Sequence, residues 1–286
     1  MPELPEVETM RRGIACIVGA TVTGVQREPC ERKAILVRPR IDAFRRRAVG
    51  CRVAAVERIG KRVVMRLDSQ DAIVFEPRMT GLVLVADPPS IEHLRFRVDL
   101  DGAGAVRGST VRWVWYWDRR GLGSVRLMSP KEIDEHWGPD TLGPDALDIT
   151  AEQLRESLRG SKRAIKVALL DQRVVAGVGN LYASEILHLA EVHPERRCDQ
   201  LTRAQWDRVV RAQSKVLEEA IVHEGSTLGD GAYRNVLNDP GGYQNHHKVY
   251  DREAEPCPNC SSPIKRIVQA QRSTFFCARC QAKSKR

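Results

Sequence analysis

No run of about 18 or more apolar residues occurs in this 286-residue chain, so a spanning α-helix is excluded. Nor does the start carry a basic segment followed by an apolar stretch and a small-residue cleavage site. The expectation is a soluble, intracellular, cytoplasmic protein. Internal repeats and low-complexity tracts are also lacking. Acidic residues are missing altogether from residues 257 to 286, where seven basic ones stand. The whole chain carries a formal net charge of +9, which points to a polyanionic partner. Cysteines are few, and four of the eight (Cys16, Cys30, Cys51, Cys198) are scattered singly as small apolar residues. The others cluster near the end without a secretory signal, which argues for metal ligation and against a disulfide framework.

What is present suggests more than one domain. Residues 21 to 128 are short segments rich in Val, Ile, Leu and aromatics, broken by Gly, Pro and Asp. Segments 51–59, 62–67, 94–100 and 111–117 read as strands with sandwich or barrel spacing. Trp113, Trp115 and Trp117 resemble a base-stacking stripe, but period-2 aromatics fit one packed strand face better. Gly138-Pro139-Asp140-Thr141-Leu142-Gly143-Pro144-Asp145 concentrates breakers and reads as a linker. Behind it, Thr150 with Gln153 and Thr202 with Gln205 have capping-box spacing, and 161–172 and 181–190 read as helices. From about Gly225 to Tyr250 the pattern dissolves into Gly, Asn, Asp and His, as in a long mobile loop of the kind that often carries function. The expected class is α+β and multidomain. Residues 1–135 form an N-terminal domain of sandwich or barrel type, which the resemblance described below makes a β-sandwich with flanking helices, 136–149 a linker, 150–250 a helical module with the loop, and 251–286 a zinc ribbon.

Three segments carry chemistry. In Cys257-x2-Cys260-x16-Cys277-x2-Cys280, two Cys-x-x-Cys turns present four thiolates to one tetrahedral zinc, leaving no position open for chemistry. The zinc is therefore structural. Four thiolates and the ion together subtract two from the seven basic residues (Lys265, Arg266, Arg272, Arg279, Lys283, Lys285, Arg286), and the remaining +5 suits phosphate contact. Residues 264–269 and 273–276 make two short strands with Gln271-Arg272 at the hairpin tip. Second, Gly177-Val178-Gly179 before Asn180 sits between two helices. It reads either as a phosphate-approach site at a helix start or as an ordinary helix-hairpin turn. Third, the chain opens Met1-Pro2-Glu3-Leu4-Pro5-Glu6. Trimming of Met1 would expose Pro2 as a secondary amine with a pKa of about 8, partly neutral and nucleophilic near neutral pH. Such an amine attacking a sugar C1′ can collapse to an iminium, and neighbouring carboxylates can move the protons. The same residues are also ordinary helix-start chemistry.

Taken together, the opening Pro-Glu-Leu-Pro-Glu-Val-Glu-Thr, the stretch Ala176 to Leu187 and the ribbon Ala270-Gln271-Arg272-Ser273-Thr274-Phe275-Phe276-Cys277 resemble the formamidopyrimidine-DNA glycosylase family. That family also contains endonuclease VIII. The resemblance runs from residue 2 to about 281. It implies a helix-two-turn-helix module beside the sandwich and ribbon, DNA bound in a cleft between the halves, and a monomer acting at the nucleoid. By the same resemblance Pro2 is the nucleophile that displaces a damaged base and forms a Schiff base. Glu3 assists sugar-ring opening, and Glu6 is a second carboxylate of the site. Lys61, on spacing alone an exposed strand lysine, serves proton transfer in β-elimination. Arg272 grips phosphates and serves δ-elimination, and Lys166 and Asn180 bind phosphates. Met79, Arg120 and Leu122 fill the space left by the flipped nucleotide, offsetting the few kcal/mol that extrusion costs.

The implied activity is a base-excision repair glycosylase and abasic-site lyase acting on oxidised purines such as 8-oxoguanine and formamidopyrimidines in duplex DNA. A pyrimidine-directed enzyme of endonuclease VIII type, an abasic-site lyase and a non-catalytic damaged-DNA-binding protein are the alternatives. The chain departs from the family's common pattern at Glu76-Pro77-Arg78, where His-Leu-Gly is usual, and at Leu122, where a phenylalanine wedge is usual. Ile91 replaces one of two closely spaced histidines, leaving His93. The full-length loop at 225–250 favours the purine-directed branch.

Overall fold

The computed structural model describes residues 2–283. Met1, whose removal the Pro2 assignment requires, and Lys285 and Arg286 of the basic tail lie outside the described residues. Contacts divide the chain differently from composition. One unit comprises the residues up to Gly138 together with Ile221–Gln244, and the other Pro139–Ala220 together with the residues from Asn245 onward. Composition assigns 150–250 to a single module because it cannot register that the 221–244 segment packs back on the sandwich. Val85 N–H donates to Val236 O at 3.0 Å, and a Cβ on Gly13 would lie 2.2 Å from a Val236 methyl.

The first unit opens with helix α1 (Leu4–Gly13). Its strands are β1 (Thr21–Arg27), β2 (Leu36–Arg38), β3 (Val53–Ile59), β4 (Arg62–Leu67), β5 (Ala72–Glu76), β6 (Gly81–Leu84) and β7 (Leu94–Asp101), then a small hairpin of β8 (Ala105–Val106) and β9 (Ser109–Thr110), and finally β10 (Trp113–Asp118) and β11 (Ser124–Met128). Helices α2 (Ile41–Ala48) and α3 (Pro130–Trp137) flank them. The sheets run β1-β7-β10-β6 and β2-β11-β5-β4-β3, antiparallel except for the β11–β2 pair. One apolar cluster joins both sheets to α1, whose Val7 and Met10 are fully buried, as are Ile14 and Ile17 just after it. Each such side chain contributes about 1.5–3 kcal/mol on leaving water.

The strand expectations hold to within a few residues, and the tryptophan stripe is the exception in detail. Val114, Tyr116 and Asp118 are the fully buried side chains of β10, whereas Trp113 and Trp115 are half-buried on the other face, with Arg97 over the Trp115 ring at 5.3 Å. A register shift after Tyr116 breaks the alternation, so Trp117 is buried too.

The second unit contains α4 (Ala151–Ser157), α5 (Ile165–Leu169), α6 (Asn180–Leu189) and α7 (Arg203–Val222) up to Ala220. Both capping boxes are present. Thr150 Oγ1 accepts from Gln153 N at 3.2 Å, and Thr202 Oγ1 from Gln205 N at 3.3 Å. The expected helix over 161–172 forms only as α5, because backbone bonds from Asp199 N–H to Ser161 O, from Cys198 N–H to Arg163 O and from Ile165 N–H to Arg196 O hold its first residues extended. Strands β12 (Ile264–Gln269) and β13 (Arg272–Cys277) pair in register, Gln269 opposite Arg272, leaving Ala270 and Gln271 as a two-residue turn. Both have positive φ, +46° and +61°, as a type I′ hairpin requires, although neither is the Asn or Gly that adopts it without strain.

Candidate functional site

In the first unit the chain start is buried. Pro2 lies under other atoms, and Glu3 and Glu6 are only 4% and 3% exposed. A buried carboxylate must be supplied with donors, and Glu6 receives them from both sides. Its Oε2 accepts from Glu3 N–H at 2.8 Å and its Oε1 from Ser226 N–H at 2.9 Å. The second bond ties the helix start to the first residues of the long polar loop. Gly225 makes that approach possible: its φ is +78°, and a Cβ there would stand 2.8 Å from Glu6 Oε1. The loop expected to be mobile is held further along its length. Thr227 Oγ1 donates to Tyr233 O at 2.7 Å and accepts from Gly241 N at 2.9 Å, while Asn235 Oδ1 accepts from the backbone of Leu237 and Asp239. Composition shows Gly and Asn; it does not show these side-chain-to-backbone bonds.

Glu8, one turn after Glu3, anchors the neighbouring hairpin. Arg11 and Arg12 donate to it at 2.8 Å each, and Arg58 Nε at 3.2 Å. Burial opposes its ionisation, but these guanidinium bonds outweigh it and bring its pKa down to about 2. Arg58 Nη1 also donates to Gly60 O, so the β3–β4 turn that carries Lys61 is fastened to α1. As a sequence Glu8 is ordinary helix-start chemistry, and the arginines three and four residues after it are the readable signal of this anchor.

Met79, Arg120 and Leu122 lie on two turns that buried Asp118 joins. Asp118 Oδ1 accepts from Thr80 Oγ1 at 2.6 Å and Arg120 N at 3.1 Å, and Oδ2 accepts from Gly123 N at 2.8 Å. Thr80 Oγ1 in turn accepts from Arg120 N at 3.0 Å. Met79 is 36% exposed, Arg120 is exposed and Leu122 half-buried, so three long side chains are presented on a rigid base. Neither Asp118 nor Thr80 announces this role in the sequence, because their partners stand 38 residues apart. Arg78, where the family pattern has glycine, sits at φ +52°, the left-handed region that glycine occupies without strain.

In the second unit Lys166 is fully buried. An ammonium has three donors, and all are used within the protein: Asn180 Oδ1 at 2.6 Å, Thr274 Oγ1 at 2.7 Å and Ser273 O at 3.0 Å. Asn180 Nδ2 donates to the same Ser273 carbonyl at 3.0 Å. The resemblance implies a phosphate contact at Lys166; here its ammonium joins Asn180, first residue of α6, to the β13 residues next to exposed Arg272. Glu185, also on α6 and fully buried, accepts from the backbone N–H of Lys248, Val249 and Tyr250 at 2.9, 3.0 and 2.7 Å. Burial nonetheless pushes its carboxyl above the ordinary value.

The four ribbon sulfurs lie within 4.8 Å of one another, with Cys257 to Cys280 at 3.9 Å and Cys260 to Cys277 at 3.4 Å. A tetrahedron of about 2.3 Å Zn–S bonds has edges of about 3.8 Å, so the donor set fits one zinc ion. His188 Nε2 lies 3.5 Å from Cys257 Sγ, and Gln281 Oε1 accepts from Cys277 N at 2.9 Å, partners that orient thiolates. Among the described residues no helix is long and apolar enough to cross a membrane.

Family models match in three places. Residues 1–125 match the formamidopyrimidine-DNA glycosylase N-terminal domain, 138–231 the formamidopyrimidine-DNA glycosylase H2TH domain, and 254–283 a zinc finger found in FPG and IleRS. The chain is 39% identical over 287 residues to the formamidopyrimidine-DNA glycosylase of Chloroflexus aurantiacus, covering 98% of each. It is 37% identical to that of Azorhizobium caulinodans, covering 98% of this chain and 100% of the relative. Among solved structures it is similar to the MutM (Fpg) protein of Thermus thermophilus, at TM-score 0.82 and 35% identity over 99% of this chain and all of that one. It is also similar to Lactococcus lactis Fpg in complex with DNA containing an abasic site, at TM-score 0.84 and 29% identity over 98% of this chain and 100% of that one.

Proposed function

The chain belongs to the formamidopyrimidine-DNA glycosylase family and is a zinc-containing base-excision repair glycosylase with abasic-site lyase activity; we propose that Pro2 is its nucleophile and oxidised purines are its substrates. The observation that carries this reading is the buried cluster at the start of α1, where Glu3 and Glu6 stand beside Pro2 and Glu6 bonds the loop at Ser226.

In the proposed sequence the Pro2 nitrogen, freed from Met1, attacks C1′ as the bond to the damaged base breaks, and the base leaves with a proton. Glu3 protonates the ring oxygen so that the sugar opens, and the nitrogen lone pair then forms the iminium. Glu6 fixes the position of the Glu3 backbone through its 2.8 Å bond and links it to the loop. Loss of a C2′ proton, in which Lys61 takes part, expels the 3′ phosphate, and Arg272 serves the second elimination that expels the 5′ phosphate. Zinc takes no part in these steps. Held by Cys257, Cys260, Cys277 and Cys280, it shapes the ribbon that presents Arg272.

Asn180 meets phosphate at the start of α6, with Lys166 holding Asn180 and the hairpin in place. Met79, Arg120 and Leu122 fill the gap left by the extruded nucleotide. The 225–244 loop, tied to Glu6, supports the purine-directed branch over the endonuclease VIII type. Its place of action is the nucleoid.

The test is borohydride trapping on a duplex containing 8-oxoguanine. The wild-type protein should yield a covalent complex and Pro2→Gly should lose it by two orders of magnitude or more. Undiminished trapping by Pro2→Gly refutes the assignment.

A further inference from the structure

We propose that Cys30 is a site of peroxide oxidation, its sulfenic acid received by Arg95. By its isolation in the sequence Cys30 is a small apolar residue, and base excision does not use it. Its surroundings are polar. It lines a cavity of about 260 Å³ with Arg27, Glu28, Ala34, Ile35 and Arg95, enough for a small hydroperoxide and several waters. Arg95 is 98% buried, and its Nη1 donates to Cys30 Sγ while the thiol itself donates to Glu92 O at 3.1 Å. The guanidinium cannot swing away, because its Nε donates to Asp118 O at 2.8 Å.

The second, independent observation is Arg95 Nη2, a buried nitrogen without a hydrogen-bond partner among the described residues. A buried guanidinium N–H left unpaired costs on the order of 1–3 kcal/mol, and a ligand that supplies an oxygen at this point relieves it. An oxygen carried on Cys30 does so. Cations next to a cysteine sulfur are also the setting in which thiols react with peroxides. In the step, the Cys30 sulfur attacks one oxygen of hydrogen peroxide. An S–O bond forms as the O–O bond breaks. The thiol proton ends on the departing hydroxide, giving water. Sulfur loses two electrons and the peroxide gains them. The fixed positive charge of Arg95 stabilises the negative charge on sulfur and on the departing oxygen. The new oxygen lies in the cavity and accepts from Nη2.

Cys51 is an internal control: it is half-buried like Cys30, but among the described residues its sulfur bonds the Arg47 carbonyl, at 3.3 Å, and no cation. The zinc-loaded protein is treated with hydrogen peroxide in the presence of dimedone, which captures sulfenic acids, and adducts are followed by peptide mass spectrometry. Adducts on ribbon cysteines are scored separately against zinc release. The Cys30 peptide should be labelled at least tenfold faster than the Cys51 peptide; equal rates overturn the proposal. Cys30→Ser should remove that adduct and leave lesion trapping unchanged. Arg95→Gln should bring the Cys30 rate down to that of Cys51, and an unchanged rate in a folded variant would overturn the part given to Arg95. Should Arg95→Gln fail to fold, the wild-type ratio decides alone.

Discussion

Replacing Lys166 with methionine separates a phosphate ligand from a structural bolt. The two side chains are similar in length, so the packing loss is small. What disappears is an ammonium that satisfies Asn180 Oδ1, Thr274 Oγ1 and Ser273 O at 2.6–3.0 Å in a fully buried place. The Ser273 carbonyl keeps its bond from Asn180 Nδ2, so two oxygens lose a donor. At about 1–3 kcal/mol for each unsatisfied buried group, and allowing for the desolvation the lysine no longer suffers, the net cost is about 3 kcal/mol. For a chain of this size that corresponds to a fall in melting temperature of roughly 6–12 °C. Calorimetry of the zinc-loaded chain measures it, and fluorescence anisotropy on a duplex with a stable abasic analogue, between 50 and 200 mM salt, reads the binding. A lysine contacting phosphate directly would contribute about 0.9 to the slope of log affinity against log salt. Unaltered stability together with a slope reduced by that amount would refute the buried-bolt account.

Three other outcomes follow from the same geometry. Glu8→Gln should destabilise the first unit by up to about 3 kcal/mol at neutral pH, from a carboxyl lowered from 4.5 to about 2. Because the folded pKa is depressed, that difference from wild type is fully present above about pH 4.5 and vanishes as pH falls through 2; urea titrations at pH 7, 5 and 3 check it, and a pH-independent difference contradicts it. Glu185→Gln keeps an acceptor for two backbone N–H groups but sets an NH2 against the third, so a loss of about 1–3 kcal/mol is expected by denaturant unfolding. Removing zinc with a chelator should weaken DNA binding at least tenfold, with the far-ultraviolet signal of the β-sandwich retained; intact binding by metal-free protein would show that the ribbon does not depend on the ion.

The strands of the sandwich were legible because alternation and breakers are local properties, and the zinc ribbon because ligand spacing is local too. The capping boxes at Thr150 and Thr202 were readable for the same reason. What escaped the sequence depends on pairs far apart in it. Asp118 joins turns 38 residues away, Glu6 reaches Ser226, and Glu185 gathers three backbone donors from 248–250. The long loop illustrates the limit from the other side. Its Gly and Asn content looks mobile, yet Gly225 is there for its positive φ against Glu6, and Asn235 closes the loop on itself. Lys166 was found by resemblance, which indicates where a residue stands but not that its ammonium is already saturated by protein oxygens.

The central claim is that the amine at Pro2 captures deoxyribose. It is tested most directly by reducing the complex with an 8-oxoguanine duplex, digesting it and mapping the modified peptide. An adduct on the nitrogen of an N-terminal Pro2 that has lost Met1 is the result expected. An adduct on Lys61 or another lysine, or active protein in which methionine still blocks the terminus, would contradict it.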